Sequence, residues 1–143
     1  GRCEMSSSDD SRAILTAMAE AWSAAGRTWD AAGIAANYTD DAVFFGGRPG
    51  MQQGSAGVRG YFDSYAGIIN RATLTLQDQQ VFRLAPDVIL AQGFGHFALG
   101  FADGRSSEFV QRTTLVLVRR DGQWKILQHH FSEKPAAPQL GIE

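Results

Sequence analysis

Apolar residues recur every three or four positions through the first half of the chain and every second position through the rest, which predicts helices followed by strands. Ile14, Met18, Ala21, Trp22 and Ala25 make one helical stripe. Ser8, Asp9 and Asp10 precede it, and short polar side chains of this kind satisfy free backbone N–H groups while acids suit the positive helix end. Gly26 is a natural stop. A second helix is predicted from Thr28 through Trp29, Ala32 and Ala36 to about Tyr38, although Gly33 weakens it by roughly 1 kcal/mol relative to alanine. Thr39-Asp40-Asp41 reads as a turn, Ala42 to Phe45 as a short strand, and Gly46 to Gly54 as a loop too rich in Gly and Pro for regular structure. Ser55 then caps a third helix that carries Val58, Tyr61, Phe62, Tyr65 and Ile69 on one side.

From Arg71 the period is two. Ala72, Leu74 and Leu76 alternate with Thr73 and Thr75, and a further strand covers Gln79 to Leu84. Ala85-Pro86-Asp87 turns the chain into a long strand from Val88 to Phe101, where Gly93 and Gly95 mark a bulge or a sharp bend. Strands over Phe109 to Arg119 and Gln123 to Ser132 are joined by Asp121-Gly122, the dipeptide best suited to the positive φ angles of a tight hairpin turn. Helices first and meandering strands after give an α+β fold, about three N-terminal helices packed on one side of a curved antiparallel sheet centred on this hairpin. The expected organisation is an irregular or cloning-derived leader over 1–8, one domain over 9–135 and a loose C-terminal tail over 136–143.

A two-residue turn sets Arg119 opposite Trp124, Leu117 opposite Ile126 and Leu115 opposite Gln128. One face then carries Leu115, Leu117, Ile126 and His130, and the other carries Arg112, Val116, Leu127, His129 and Phe131. Both are substantially apolar, whereas a sheet with one solvated face alternates cleanly. The helices cover one face, and a homodimer packed sheet against sheet is expected to cover the other. A bulge in the hairpin would change the face assignments of Arg112 and His130 together.

Composition narrows the function classes. The formal charge is −2 and no basic cluster exceeds the pair Arg119–Arg120, so the footprint needed to bind nucleic acid is missing. Cys3 is the only cysteine, which excludes an internal disulfide and Cys₂His₂-type zinc sites. No apolar run reaches the about 18 residues of a membrane span, so no membrane partner is expected. A cytoplasmic location fits these features; a periplasmic one stays open, because a leader could precede the chain. Gly93-x-Gly95-x-x-Ala98 lies within a strand rather than at a strand-to-helix turn, and the Gly46–Gly54 loop lacks a Gly-Lys-Ser/Thr ending, so neither supports a nucleotide and no cofactor is expected.

Tyr38-Thr39-Asp40-Asp41-Ala42-Val43, followed by Gly57-Val58-Arg59 and Tyr61-Phe62, resembles the NTF2-like superfamily of cone-shaped, cystatin-like α+β domains. The ending Arg112-x-Thr114, Arg120-Asp121-Gly122-x-Trp124-x-Ile126 and His129-His130-x-Ser132 is similar to the branch that holds the calcium/calmodulin-dependent kinase II association domain and the bacterial SgcJ/EcaC-type and SnoaL-like proteins. This resemblance runs from Ser11 to Pro135 and implies three helices over a curved sheet, a pocket at the open end of the cone and assembly through the outer sheet face. Kinase association domains line that pocket with arginines, and Leu115 and Phe131 stand at two of those positions here. Ketosteroid-isomerase-like members place a base carboxylate shortly after the Asp-Asp-Ala turn, where this chain has Val43-Phe44-Phe45-Gly46 and no acid.

The candidate ligand-binding residues are Arg112, His96, His130, Tyr38, Tyr61 and Trp22. Arg112 sits in an apolar strand and suits an anion clamp, or a structural ion pair with Asp40, Asp41 or Glu108. Neighbours on a strand point to opposite faces, so His129 and His130 do not chelate one ion and no metal is expected. One of them faces the pocket, and either is the candidate general base if there is catalysis. Trp22, Trp29, Tyr38, Phe44, Tyr61 and Tyr65 are candidate walls, of which two or three are expected to touch a ligand. The leading expectation is a pocket domain that dimerises and binds a small, mostly apolar molecule with a polar or anionic end. The alternatives are a SnoaL/ketosteroid-isomerase-like enzyme with a histidine base, and an oligomerisation module like the kinase association domain.

Overall fold

The computed structural model describes the backbone of residues 2–141 and the side chains from Asp10 onward. Helices α1 (Arg2–Gly26), α2 (Ala31–Ala35) and α3 (Gly54–Asp63) precede or interrupt strands β1 (Tyr38–Phe45), β2 (Gln52–Gln53), β3 (Ile69–Ala85), β4 (Val88–Phe101), β5 (Ser106–Arg120) and β6 (Gln123–Glu133). The six strands form one sheet in the order β2-β1-β6-β5-β4-β3, so the final hairpin lies at its centre. All pairings are antiparallel except β1 with β6. The chain is therefore the α+β arrangement of three helices on a curved sheet that its periodicity predicts.

The differences have local causes. α1 contains no proline and no glycine before Gly26, so it begins at Arg2, ahead of the Ser8–Asp10 cap. Its first turns take in most of the 1–8 leader expected to be irregular, whose side chains lie outside the described residues. The second helix is only five residues long, because Asp30 rather than Thr28 is its N-cap and accepts from the Gly33 N–H. Trp29 just before it has φ 47°, and Tyr38 already belongs to β1. Thr39 to Ala42 bulge out of the β1–β6 ladder, which resumes at Val43, so the Asp-Asp turn is an irregularity inside a strand. The two strands expected between Arg71 and Leu84 are one, β3, interrupted between Gln77 and Gln80. Beyond β6 the tail is irregular through residue 141.

Gly93 explains that interruption. A Cβ there would lie 2.6 Å from the Asp78 carbonyl oxygen, so the bulge on β3 packs into the space glycine leaves on β4. Asp78 itself has φ 51°, and the Gln79 side chain turns inward to donate to the Phe94 carbonyl at 3.0 Å and to Thr113 Oγ1 at 3.1 Å. The β4–β5 ladder, by contrast, runs unbroken from Val88 to Gly100.

The β5–β6 hairpin starts in the predicted register. Asp121 and Gly122 have φ 54° and 76°, and Arg119 pairs with Trp124 and Leu117 with Ile126. One extra residue, Leu127, is then accommodated, after which Val116 pairs with Gln128 and Leu115 with His129. Every β6 side chain beyond this bulge changes face. The helix-covered face gains His129 and Phe131, both buried, and His130 moves to the outer face. Ile34, Phe44, Phe62, Val58, Ile89 and Leu117 form the driest part of the core.

Gly93→Ala is expected to destabilise the domain by about 1–3 kcal/mol, because backbone must move to admit the methyl group. Gly60→Ala, in α3 with nothing within 4 Å of the added carbon, is expected to stabilise it by about 0.5–1 kcal/mol. Urea denaturation of the two variants measures both signs.

Candidate functional site

A cavity of about 220 Å³ opens between the helices and the inner face of the sheet. Trp22 of α1, Trp29 of the following turn, Tyr61 and Phe62 of α3, and Tyr65 of the turn after α3 form its helical wall. Phe44 of β1, Phe97 of β4, and His129 and Phe131 of β6 form the sheet wall. The rings hold one another edge-on. Trp22 meets Phe62 at 6.2 Å and Phe97 at 6.0 Å between centroids, and Trp29 meets Tyr65 at 6.3 Å. The Trp29 indole also donates to the Phe62 carbonyl at 3.1 Å, tying the left-handed turn after α1 to α3. None of the described residues lining the cavity carries a permanent charge.

His129 is a polar group in this largely apolar wall, as is Gln111 of β5. Its ring lies 4.0 Å from Phe44 and 3.6 Å from Phe131, centroid to centroid, and its Nδ1 is 2.7 Å from the Tyr38 hydroxyl. Burial drives the imidazole pKa well below its ordinary value, and the adjacent His130 adds to the shift. Burial raises the Tyr38 phenol far above its usual range; the Trp22 indole N–H, near the same oxygen but short of hydrogen-bond geometry, opposes part of that rise. A phenol that keeps its proton donates, so Nδ1 accepts and the neutral ring carries its hydrogen on Nε2. Nε2 has no hydrogen-bond partner among the described residues, which leaves a neutral N–H donor for the cavity.

A second polar corner lies at the mouth. Gly46 and Gly47 follow β1 and line the cavity, and the Gly47 N–H donates to the Tyr61 hydroxyl at 2.7 Å. A Cβ on Gly47 would sit 3.4 Å from the Tyr65 hydroxyl and 3.5 Å from that of Tyr61, so both hydroxyls converge on this backbone. Burial raises the Tyr61 pKa, against the opposing effects of the Gly47 N–H and the nearby Arg48 charge, and the phenol stays protonated.

Of the ligand-binding candidates, Trp22 and Tyr61 line the cavity, while Tyr38 stands behind His129 as its hydrogen-bond partner. Three others do not belong there. Arg112 and His130 are exposed and border a separate groove on the outer face, the Leu127 bulge having placed His130 on Arg112's side. His96 alternates outward on β4, because Gly95 and Phe97 take the inner positions, and pairs with Glu108 at 3.0 Å. Arg112 is also not the ion-pair partner of an expected acid. Asp40 accepts from Ser55 at 3.0 Å, Asp41 from Arg120 at 2.8 Å, and Glu108 holds His96. Neither Asp40 nor Asp41 lines the cavity. Leu115 and Phe131, the two positions compared with pocket arginines, are both buried on the inner face.

Sequence reasoning missed Phe97 and Gln111 as lining residues, and Gly47 as a polar contributor. The alternation of Ile89, Ala91, Phe97, Leu99 and Phe101 along β4 is the signal that identifies the inner face of that strand. Among the described residues no group of three His, Cys, Asp or Glu side chains is placed to hold a metal ion, and no helix is long and apolar enough to cross a membrane.

The buried histidine sets a pH dependence. The unfolded chain takes up a proton at His129 near its ordinary pKa of about 6.5, whereas the folded chain binds it only at much lower pH. Stability is therefore full above about pH 6.5 and falls as pH drops below it, by about 1.4 kcal/mol per pH unit from this group. His129→Gln, which still accepts from Tyr38, is expected to flatten the profile between pH 6.5 and 5 by that slope in denaturant titrations.

The model of the SnoaL-like domain matches residues 15–137. Among solved structures, a Xanthomonas campestris protein provisionally named a calcium/calmodulin-dependent protein kinase II association domain is 25% identical, with a TM-score of 0.78 over 86% of this chain and 87% of that one. An NTF2-like protein of unknown function from Pseudomonas putida is 26% identical, with a TM-score of 0.66 over 82% of each chain. A Novosphingobium aromaticivorans protein provisionally named a scytalone dehydratase shares the fold, with a TM-score of 0.80 over 94% of this chain and 99% of that one, at 10% identity. No curated protein matches by sequence. The resemblance in the Asp-Asp-Ala turn and the final hairpin thus extends over most of the chain, which belongs to the SnoaL-like family of the NTF2-like fold.

Proposed function

We propose that the protein binds a small aromatic or alicyclic molecule with a polar substituent inside the cone. The observation that carries this reading is the 220 Å³ cavity walled by aromatic rings, with the neutral His129 ring in its sheet wall. An apolar cavity of about 150 Å³ holds benzene, so this one has room for a substituted ring or a compact bicycle. Its rings supply dispersion and area burial, and the imidazole N–H fixes orientation by donating to a hydroxyl or carbonyl oxygen. Arg112, assigned above to the outer face, takes no part in the cavity.

Catalysis by a histidine base draws less support from the same geometry. Proton abstraction creates an imidazolium, and no carboxylate among the described residues lines the cavity to stabilise it. The Nδ1 side is occupied by a phenol that stays protonated. Partner docking in an arginine-lined pocket gains no support from Leu115 and Phe131, both apolar and buried.

1-Naphthol and naphthalene test the reading by ligand-observed NMR. Both are expected to bind the wild-type protein, and Leu99→Trp, which fills the cavity from its wall, is expected to abolish both. His129→Phe is expected to weaken 1-naphthol about three- to tenfold and to leave naphthalene unchanged, as loss of one neutral hydrogen bond does. Failure of both molecules to bind the wild-type protein overturns the reading.

We also propose that a second copy of the chain covers the outer face of the sheet. That face carries Leu90, Phe94, Val110 and Val116 without a helix over them, and Phe82 is 52% exposed at its edge. A charge at Val116 would be trapped in such an interface. Sedimentation velocity at micromolar concentration is expected to give a dimer for the wild-type chain and a folded monomer for Val116→Glu.

A further inference from the structure

Arg48 is the arginine that directly follows the glycines lining the cavity mouth, and the cavity reading above does not use it. Its guanidinium stacks 4.3 Å from the centre of the Tyr65 ring, itself part of the cavity wall. Nε donates to Ser64 Oγ at 3.3 Å, and Nη2 donates to Ser64 Oγ at 3.0 Å and to the Ser64 carbonyl at 3.3 Å. These contacts fix the plane of the group while Nη1 keeps both its hydrogens unassigned. Arg48 has no carboxylate partner among the described residues, unlike Arg59, Arg105, Arg119 and Arg120, each of which holds an aspartate. The Tyr61 and Tyr65 hydroxyls converge on Gly47 beside it. A cation held by neutral groups, next to two phenols and at the edge of an apolar cavity, is the composition of a carboxylate site.

We propose that Arg48, Tyr65 and Tyr61 form an anion-recognition corner at the cavity mouth, and that the ligand is an aromatic carboxylate whose ring lies inside and whose carboxylate meets Arg48. This rests on the cavity reading and gives its ligand a class. The carboxylate accepts from Nη1 of Arg48 and from the tyrosine hydroxyls, in a place where water still reaches it. The absence of a side chain at Gly47 keeps the space between the two hydroxyls open.

The experiment compares 1-naphthoate with 1-naphthol by isothermal titration calorimetry at pH 7.5. At 20 mM NaCl the wild-type protein is expected to bind 1-naphthoate about tenfold or more tightly than 1-naphthol, as a charge-assisted hydrogen bond allows. At 500 mM NaCl the advantage is expected to shrink several-fold, because an exposed pair is screened. Arg48→Gln is expected to remove the advantage and leave 1-naphthol unchanged. Tyr65→Phe keeps the ring under Arg48 and is expected to weaken 1-naphthoate by about threefold. If 1-naphthol binds and 1-naphthoate does so no better, or if the advantage survives in Arg48→Gln, the anion corner is overturned and the cavity reading stands. If neither binds, the cavity reading falls and takes the corner with it.

Discussion

The pairing of β5 with β6 has to place a hydrophobic strand against the helices on both sides of one inserted residue, Leu127, and the character of the cavity follows from how it does so. Before the bulge, Leu117 and Ile126 face inward together; after it, Leu115 and His129 do. Without the extra residue the inner wall would receive Gln128 and His130 in place of His129 and Phe131, and the outer face would hold the ring that now meets Tyr38. A one-residue slip inverts a whole strand because the side-chain period is two. The bulge therefore selects which histidine is buried, and burial in turn selects its protonation state.

That protonation state decides the chemistry open to the site. An imidazole packed between Phe44 and Phe131 cannot keep a charge without a partner, and the nearest polar group is a phenol that is itself buried. The pair is satisfied as neutral donor and neutral acceptor. Such an arrangement suits the orientation of an oxygen acceptor better than the movement of a proton. The aromatic wall adds the same bias, since it excludes the water that would solvate a developing charge.

Much of this was legible in the residues. The three- and four-residue spacing from Ile14 to Ala25 and from Val58 to Phe62 and the Asp121-Gly122 turn are local signals that α1, α3 and the hairpin follow, whereas Ile69 already belongs to β3 and the bulge signalled by Gly93 lies on the neighbouring strand. Of the six aromatic candidates, Trp22, Trp29, Phe44, Tyr61 and Tyr65 line the cavity, and Tyr38 stands behind the wall as the partner of His129. What could not be read was the bulge, because Leu127 is one apolar residue among several and its place depends on how β1 joins β6 from the other side. Ile126 donates its N–H to the Asn37 carbonyl and pairs with Tyr38, whereas Gln128 pairs with Val43. That constraint is long-range, and no spacing rule within the hairpin contains it. Arg112 keeps the place opposite Leu115 and Leu117 that strand alternation gives it; the bulge changes only its neighbour, from His129 to His130, and the helices cover the Leu115 side.

The separation of charge from cavity has a further physical consequence. A carboxylate drawn deep into the cone would lose its water and find neutral donors and no cation among the described residues, at a desolvation cost of several kcal/mol. At the mouth it keeps part of its hydration and meets a guanidinium already held in plane by Ser64 and Tyr65. The two polar points of the site are therefore graded, a neutral donor where water is excluded and a cation where it is not. Under the binding proposed above, a ligand with both a neutral oxygen and an anionic group would lie with its charged end outward and its neutral end against His129.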